Sequence, residues 1–185
     1  MIYFTADTHF HHTNIIKMGD RPFENIEEMN EALIDNWNSI VHKSDKIYIL
    51  GDFLFRAKAT RANEILRRLK GVKHLIKGNH DEYIKKPDFD LSLFEWIKDY
   101  EVISYKDARF ILFHYPILEW EHYHRKSAHL YGHVHKNTSH IRSETPDKFA
   151  MMSERAINVG VEMNNYRPVS AEEIYERAFA KWSDL

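Results

Sequence analysis

The chain has 185 residues and a net charge of -2, and its 43% hydrophobic and 29% charged residues are ordinary proportions for a globular protein. The near-neutral charge argues against binding nucleic acid through an extended basic surface. The absence of cysteine excludes disulfides, thiolate zinc sites and cysteine nucleophiles, so a metal would be bound by nitrogen and oxygen atoms. We expect residues 1–185 to form one domain with a substantial core.

The N-terminal residues contain no recognisable targeting segment. Residues 1–7 already have the pattern of a strand, without the charged region and apolar run of a signal peptide. No apolar stretch of the chain approaches the ~20 residues that a membrane-spanning helix needs. We therefore expect a cytoplasmic protein that does not bind membranes.

The first half of the chain alternates short strands with helices. Runs rich in β-branched and aromatic residues cover 1–7, 46–50 and 72–78, and each gives way to polar residues. A capping residue, Asn25, opens one helix, and a second helix covers 60–69. This order of elements predicts a parallel sheet with right-handed crossovers.

The second half of the chain is predicted to be mostly β-structure. Its elements are, in order, a short helix carrying Leu91, Phe94 and Trp96, a hairpin of strands 101–105 and 109–114, a strand over 128–131, a polar connection over 136–150, a last long strand over 155–159, and a terminal helix. Ser170 and Glu173 have the spacing of a capping box, which marks where the terminal helix begins.

Candidate metal ligands directly follow five of the predicted strands. They are Asp7 and His9, Asp52, Asn79 and His80, His114, and His133 and His135. In open α/β sheets, ligands bind at the carboxyl edge of the strands. One such residue alone would more often be a turn or core residue. Eight of them at five strand ends indicate a common site.

The chemistry of these side chains narrows the choice of metal. Two carboxylates, an amide oxygen and several imidazoles favour Mn²⁺, Fe, Ni²⁺, Co²⁺ or Zn²⁺ over Ca²⁺ and Mg²⁺, which prefer all-oxygen ligands. Asp52 has two carboxylate oxygens and follows the central strand, so it is the natural residue to bridge two cations.

The order of these motifs resembles that of a known superfamily. The motifs are Asp7-x-His9, Gly51-Asp52, Gly78-Asn79-His80-Asp81, a lone His114 after a strand, and Gly132-His133-x-His135. Over residues 7–135 they resemble the calcineurin-like metallophosphoesterase superfamily, and Asn158-Val-Gly-Val with the terminal helix resembles its small stand-alone prokaryotic or phage branch. The resemblance implies an α/β (α+β) fold, a four-layer αββα sandwich of two mixed β-sheets flanked by helices, with a two-metal site between the sheet ends.

The resemblance also implies a role for each strand-end residue. One metal would be held by Asp7, His9, Asp52 and His135, and the other by Asp52, Asn79, His114 and His133. Asp52 would be shared by the two metals. His80 would bind neither metal and would lie near the leaving-group oxygen, so Asp52 and His80 would be the catalytic residues.

One position departs from the phosphoprotein-phosphatase branch of this superfamily. That branch reads Gly-Asp-x-x-Asp-Arg-Gly, whereas residues 51–57 read Gly-Asp-Phe-Leu-Phe-Arg-Ala. Arg56 matches the arginine that contacts phosphate there, but Phe55 replaces the aspartate that orients the catalytic histidine. We therefore do not expect a protein Ser/Thr phosphatase, and if any group orients His80, we expect it to be Asp81 or a backbone carbonyl.

Four residues near the motifs are candidate substrate contacts, namely Arg56, His11, His12 and Trp120. Arg56 is the only cationic side chain within the matched motifs. His11 and His12 lie in a loop beside ligand segments, where simple exposure to solvent is an equal alternative. Trp120 could stack on a substrate base or could pack locally.

The sequence is therefore interpreted as that of a phosphoesterase with two divalent transition-metal ions, Mn²⁺ being the first choice, that hydrolyses a small phosphate ester by attack of an activated water. The scarcity of cationic side chains favours a phosphodiester over a phosphomonoester. Three alternatives remain open: a phosphomonoesterase or nucleotide phosphatase, a hydrolase with one metal, and a non-catalytic protein-binding scaffold of the same fold.

Overall fold

The structure, a computed structural model, describes residues 1–56, 58–135 and 152–182. The predicted polar connection over 136–150 lies outside these residues. The described strands are β1 (Ile2–Thr5), β2 (Lys46–Leu50), β3 (Val72–Ile76), β4 (Trp96–Lys98), β5 (Tyr100–Tyr105), β6 (Ala108–Phe113), β7 (Ser127–Tyr131), β8 (Ala156–Asn158) and β9 (Val169–Ser170). The α-helices are α1 (Ile15–Met18), α2 (Ile26–Ile40), α3 (Ala59–Arg68) and α4 (Ala171–Phe179).

The strands form two mixed sheets. The first sheet has the order β4-β3-β2-β1-β9, in which β1 to β4 are parallel and β9 runs antiparallel to β1. The second sheet has the order β5-β6-β7-β8, in which the β5–β6 hairpin is antiparallel and the other two pairs are parallel. The predicted βαβαβ first half and the predicted hairpin are both confirmed.

Two hydrophobic layers pack on either side of the first sheet. In β2, Ile47 and Ile49 face the layer shared with α2 and α3, and Tyr48 and Leu50 face the layer shared with the second sheet. Burial on both faces explains why this strand is a continuous apolar run rather than an alternating one. The predicted sandwich of two mixed sheets flanked by helices is confirmed.

The helix starts follow the predicted capping signals. The Asn25 side chain accepts a hydrogen bond from the Glu28 N–H at the start of α2, and Ser170 and Glu173 form both hydrogen bonds of a capping box at α4. In α2, Met29, Leu33 and Trp37 are buried, as expected from their spacing. In the described part of the chain, no helix combines the length and apolar character needed to cross a membrane.

Two of the predicted elements are wrong. The short helix predicted to reach Trp96 is only a 3₁₀ turn over Leu91–Leu93, and Trp96 instead begins β4, which pairs with β3. The predicted last long strand over 155–159 is reduced to the three residues of β8. The last strand is β9, whose two residues are too few to produce a periodic pattern.

Candidate metal centre

The loops after five strands meet at one edge of the sandwich. The Asp7 N–H donates to the Gly51 carbonyl at 3.1 Å, which ties the end of β1 to the end of β2. The Gly132 N–H donates to the His114 carbonyl at 3.0 Å, which ties the end of β7 to the end of β6. The His133 N–H donates to the Asp7 carboxylate at 2.9 Å and thereby joins the two sheets. The predicted convergence of the strand ends is therefore present.

Glycine permits the close approach of these loops. Gly51 has φ +86°, and a Cβ atom there would collide with the His114 ring and lie 2.7 Å from the Gly78 backbone. A Cβ atom at Gly132 would lie 2.6 Å from an Asp7 carboxylate oxygen. Larger residues at either position would push the candidate ligands apart.

Four candidate ligands adopt left-handed backbone conformations. The φ angles are 54° at Asp7, 49° at His9, 54° at Asp52 and 68° at His133. Non-glycine residues are uncommon in this region, and each costs of order 1–3 kcal/mol. Such strain persists only where surrounding contacts enforce it, and it is concentrated at functional sites.

The first group of possible metal ligands contains Asp7, His9 and His135. One ligand atom from each residue lies within 4.8 Å of the others, and the Nε2 atoms of His9 and His135 are 3.2 Å apart. Asp7 and His9 are almost completely buried. This group could hold one metal ion.

The second group contains Asp52, His114 and His133, again with ligand atoms within 4.8 Å of one another. The Asn79 Oδ1 atom lies 3.2 Å from His114 Nε2 and 3.1 Å from His133 Nδ1, so Asn79 belongs to the same group. The Asp52 Oδ2 atom is 3.6 Å from His114 Nε2 and 3.7 Å from His9 Nε2. Asp52 therefore lies between the two groups.

Burial shifts the pKa of several of these side chains. It raises the pKa of Asp7 to about 7, because the charged carboxylate is removed from water; the nearby Asp52 charge also raises this pKa, whereas His135 lowers it. Burial likewise lowers the pKa of His9, His114 and His133, which favours their neutral forms.

The geometry fits cations at both groups. His114 Nδ1 donates to the Leu50 carbonyl at 2.7 Å, so the Nε2 atom carries the lone pair that faces the Asn79 and Asp52 oxygens. His135 Nδ1 lies 2.9 Å from the Glu162 carboxylate, which leaves Nε2 to face His9. At His114, the Nε2 lone pair, Asn79 Oδ1 and Asp52 Oδ2 are acceptor atoms that converge, and they repel one another unless a cation or a proton lies between them. Oxygen and imidazole ligands of this kind suit divalent transition metals.

His80 is more exposed than the buried ligands. Its side chain is 36% exposed, and its Nε2 atom is 4.0 Å from Asp52 Oδ2. Its backbone N–H donates to Asp52 Oδ1 at 2.9 Å, and its ring packs edge-on against Phe55, with centroids 4.8 Å apart. In residues 1–56, 58–135 and 152–182, no hydrogen bond reaches the His80 ring.

Asp81 does not orient His80, contrary to one of the two expectations above. Its buried carboxylate accepts hydrogen bonds from the backbone N–H groups of Asp52 at 2.9 Å, Phe53 at 3.0 Å and Gly78 at 2.8 Å. Asp81 therefore holds the loops after β2 and β3 together. The expected backbone carbonyl is not found in the described residues either.

A cavity of about 390 Å³ opens beside His80. Its lining residues are Leu54, Arg56, Asn79, His80, Glu82, Tyr83 and Lys86. Arg56 is exposed, and its guanidinium lies 5.3 Å from the centre of the Phe55 ring. The cavity thus places two cationic side chains, Arg56 and Lys86, beside the candidate centre.

The other three predicted substrate contacts lie in different surroundings. His12 is buried and stacks on Phe55 at 3.6 Å, with the His9 ring 5.4 Å away, so it adjoins the centre. His11 turns toward α2, where its backbone N–H donates to Asn30 Oδ1 at 3.2 Å. Trp120 is buried on the second sheet, where its Nε1–H donates to Ser127 Oγ at 2.9 Å. Substrate binding by His11 and Trp120 stays a prediction.

Two buried residues of the centre were not anticipated from the sequence. The side chains of Arg21 and Glu162 are 0% and 4% exposed, respectively, and their charged groups are 3.0 Å apart. Glu162 follows β8 at the same edge as the other ligand loops, so the strand-end pattern could have pointed to it. Arg21 lies in a loop before a proline, and no local pattern connects it with a partner 141 residues away.

No protein-family model matches this chain. YfcE, a phosphoesterase from Escherichia coli, is 17% identical to this chain with a TM-score of 0.38. The match covers 71% of this chain and 68% of YfcE. A likeness this low carries no argument about function. AQ665 from Aquifex aeolicus, a protein of unknown function with a crystal structure, is 31% identical with a TM-score of 0.68, covering 94% of this chain and 97% of that chain. The uncharacterized protein MJ1445 from Methanocaldococcus jannaschii is 40% identical over 172 residues, which are 92% of this chain and 87% of MJ1445. At this identity and coverage, the chain belongs to the family of MJ1445.

Proposed function

We propose that this protein is a metal-dependent phosphoesterase. The observation that carries the proposal is the position of Asp52, whose Oδ2 atom lies 3.7 Å from a nitrogen of one ligand group and 3.6 Å from a nitrogen of the other. A buried carboxylate between two sets of imidazoles is suited to binding two cations at once. The resemblance of the motifs to metallophosphoesterases supports the same function.

Each group of residues has a defined task in this proposal. Asp7, His9 and His135 would hold one divalent ion, Asn79, His114 and His133 would hold the other, and Asp52 would bind both. Bound cations, of which Mn²⁺ is the first choice, activate water and neutralise the phosphoryl oxygens. Asp7 and His9 of the first group are buried, whereas the exposed side chains of Asn79 and His133 leave the second group open to a substrate.

His80 is the proposed proton donor to the leaving group. Its side chain is partly exposed, lies beside Asp52 and lines the adjacent cavity. A leaving oxygen placed at the mouth of that cavity would be within reach of the imidazole. General acid catalysis of this kind is typically worth 10²–10⁴-fold in rate.

The openness of the centre supports a small phosphodiester as the substrate, because a diester has two substituents to accommodate. A second candidate, a phosphomonoester, has support of its own. The cavity presents Lys86 as well as Arg56, and a monoester carries more charge on its free oxygens than a diester. The first candidate predicts faster hydrolysis of a phosphodiester, and the second predicts faster hydrolysis of a phosphomonoester.

Replacement of Asp52 tests the proposed function. Asp52→Asn should lose most bound Mn²⁺ and nearly all hydrolysis, because an amide cannot supply a charged oxygen to both ligand groups. Metal content is measured by plasma emission, and the fold is checked by circular dichroism. Asp88→Asn, an exposed position, is the matched control and should keep both properties. A folded Asp52→Asn protein with wild-type metal content and rate would contradict the proposal.

The substrate class is tested with two aryl esters at the same Mn²⁺ concentration and pH. We expect bis-(4-nitrophenyl) phosphate to have a higher kcat/KM than 4-nitrophenyl phosphate. A tenfold preference for the monoester, which corresponds to ~1.4 kcal/mol, would favour the phosphomonoesterase. Wild-type protein with no bound metal and no hydrolysis of either ester would instead favour the non-catalytic scaffold, and one metal per chain would favour the mononuclear hydrolase.

A further inference from the structure

A buried chain of hydrogen bonds lies behind one of the two ligand groups. The Glu162 Oε1 atom is 2.9 Å from His135 Nδ1 and accepts a hydrogen bond from Arg21 Nε at 3.0 Å. The Arg21 guanidinium also donates to the carbonyl oxygens of Thr8 at 2.9 Å and Asp7 at 2.8 Å. One arginine thus binds both the backbone beside Asp7 and His9 and the carboxylate behind His135.

The second ligand group has no comparable support in the described residues. His114 Nδ1 donates to a neutral backbone carbonyl, that of Leu50, at 2.7 Å. His133 Nδ1 faces the Asn79 side chain within its own group. The partner of His135 is a charged carboxylate, whereas the partner of His114 is an uncharged amide. The two groups therefore differ in the electrostatics of the residues that hold their imidazoles.

We propose that Glu162 is a positioning residue that selectively strengthens metal binding at the Asp7–His9–His135 group, and that Arg21 holds Glu162 in place for this task. The inference rests on the proposed function, because it assumes that the centre binds two metals. A carboxylate on the remote nitrogen of a metal-binding histidine fixes the orientation of the ring and increases its basicity as a ligand. Loss of such a partner typically costs 10–100-fold in metal affinity.

Arg21 also offsets the cost of burying the Glu162 carboxylate. An isolated carboxylate in this position would be expensive, whereas the Arg21 guanidinium supplies an opposite charge at 3.0 Å. Other donors of Arg21 bond to the carbonyls of Asp7 and Thr8, and one faces Met29 Sδ at 3.6 Å. The network therefore links a loop of the first sheet to the turn after β8, and both segments adjoin the same ligand group.

Mn²⁺ titration of the full chain tests this inference. Electron paramagnetic resonance of free Mn²⁺ gives the affinities of the two sites. The spin-coupled signal of two bound ions reports whether both sites are filled. A general structural defect would weaken both sites rather than one of them. For Glu162→Ala we expect one Mn²⁺ to bind up to about 100-fold more weakly, with loss of the coupled signal, while the other binds as in the wild type. For Glu162→Gln we expect about 10-fold weaker binding of the same ion, because the amide oxygen still accepts a hydrogen bond but carries no charge.

The controls separate this role from general effects. Glu176→Gln removes an equal charge from an exposed position and should leave both affinities unchanged. Wild-type affinities in Glu162→Gln, or equal weakening of both ions, would overturn the proposal. Should Glu162→Ala fail to fold, Glu162→Gln decides alone, because it preserves the side-chain volume beside Arg21. A wild-type protein that binds two Mn²⁺ ions but cleaves no phosphate ester would contradict the proposed function and leave this inference intact.

Discussion

The side chains of His80 and Asp52 lie 4.0 Å apart, but the protein holds them in place by different contacts. The Asp52 carboxylate is buried, and one of its oxygens accepts the His80 backbone N–H at 2.9 Å. The His80 ring is partly exposed and is held by packing against Phe55 rather than by a hydrogen bond within the described residues. A rigid buried carboxylate suits cation binding, and a partly exposed imidazole suits proton transfer to a substrate.

Replacement of His80 should separate proton transfer from metal binding. We expect His80→Ala to keep both Mn²⁺ ions and to lose 10²–10⁴-fold in kcat for an ester with an alkyl leaving group. The loss should be smaller for a nitrophenyl leaving group, which needs less protonation. His124→Ala, in an exposed loop, is the control and should retain wild-type kinetics. Equal losses for the two leaving groups would remove the proton-donor role.

At the scale of elements, strand direction decides which ligands can meet. The β6 and β7 strands are parallel, so His114 and the His133–His135 segment leave the second sheet at the same edge. In an antiparallel pair, one of these segments would lie at the opposite edge. The β1, β2 and β3 strands are also parallel. Their carboxyl ends therefore bring Asp7, Asp52 and Asn79 to one edge of the first sheet.

The loops after these strands carry much of the local strain. The sharp turns at Asp7, His9 and Asp52 use positive φ angles and lie where the backbone of one loop bonds to the next. Asp81 contributes by accepting three backbone hydrogen bonds. Each loop is therefore held in its strained form by contacts with a loop from another strand.

At the scale of the whole molecule, the candidate centre joins the two sheets. Asp7 from the first sheet accepts a hydrogen bond from His133 of the second, and Asp52 lies between His9 and His114. Cations bound at this junction would add to the hydrophobic layer that already holds the sheets together. Metal binding and the stability of the sandwich should therefore be coupled.

Removal of metal should lower the thermal stability of the protein. Mn²⁺ at 100 times its dissociation constant stabilises a folded protein by about 2.7 kcal/mol per site. Each 1 kcal/mol shifts Tm by about 2–4 °C for a chain of this length, so we expect a rise of about 5–10 °C per site on adding Mn²⁺ to chelated protein. Calorimetry measures the shift, and Asp52→Asn should show a much smaller one. An identical Tm with and without Mn²⁺ would exclude a metal that binds the folded state.

Local patterns in the sequence determined much of the fold and the location of the candidate centre. The caps at Asn25 and Ser170 determine where α2 and α4 begin, because capping depends on residues within one helical turn. The polar residues after each strand point to a common edge, because parallel strands deliver their ends to the same side of a sheet.

Only the tertiary structure decided the features that depend on contacts distant in the chain. The ion pair of Arg21 with Glu162 joins residues 141 positions apart, and the packing of His11 toward Asn30 depends on the path of a loop with left-handed residues. The short strands β4 and β9 exist because neighbouring strands supply their hydrogen-bond partners. Two or three residues carry too little periodicity to reveal a strand by themselves, so pairing across the sheet decides their conformation.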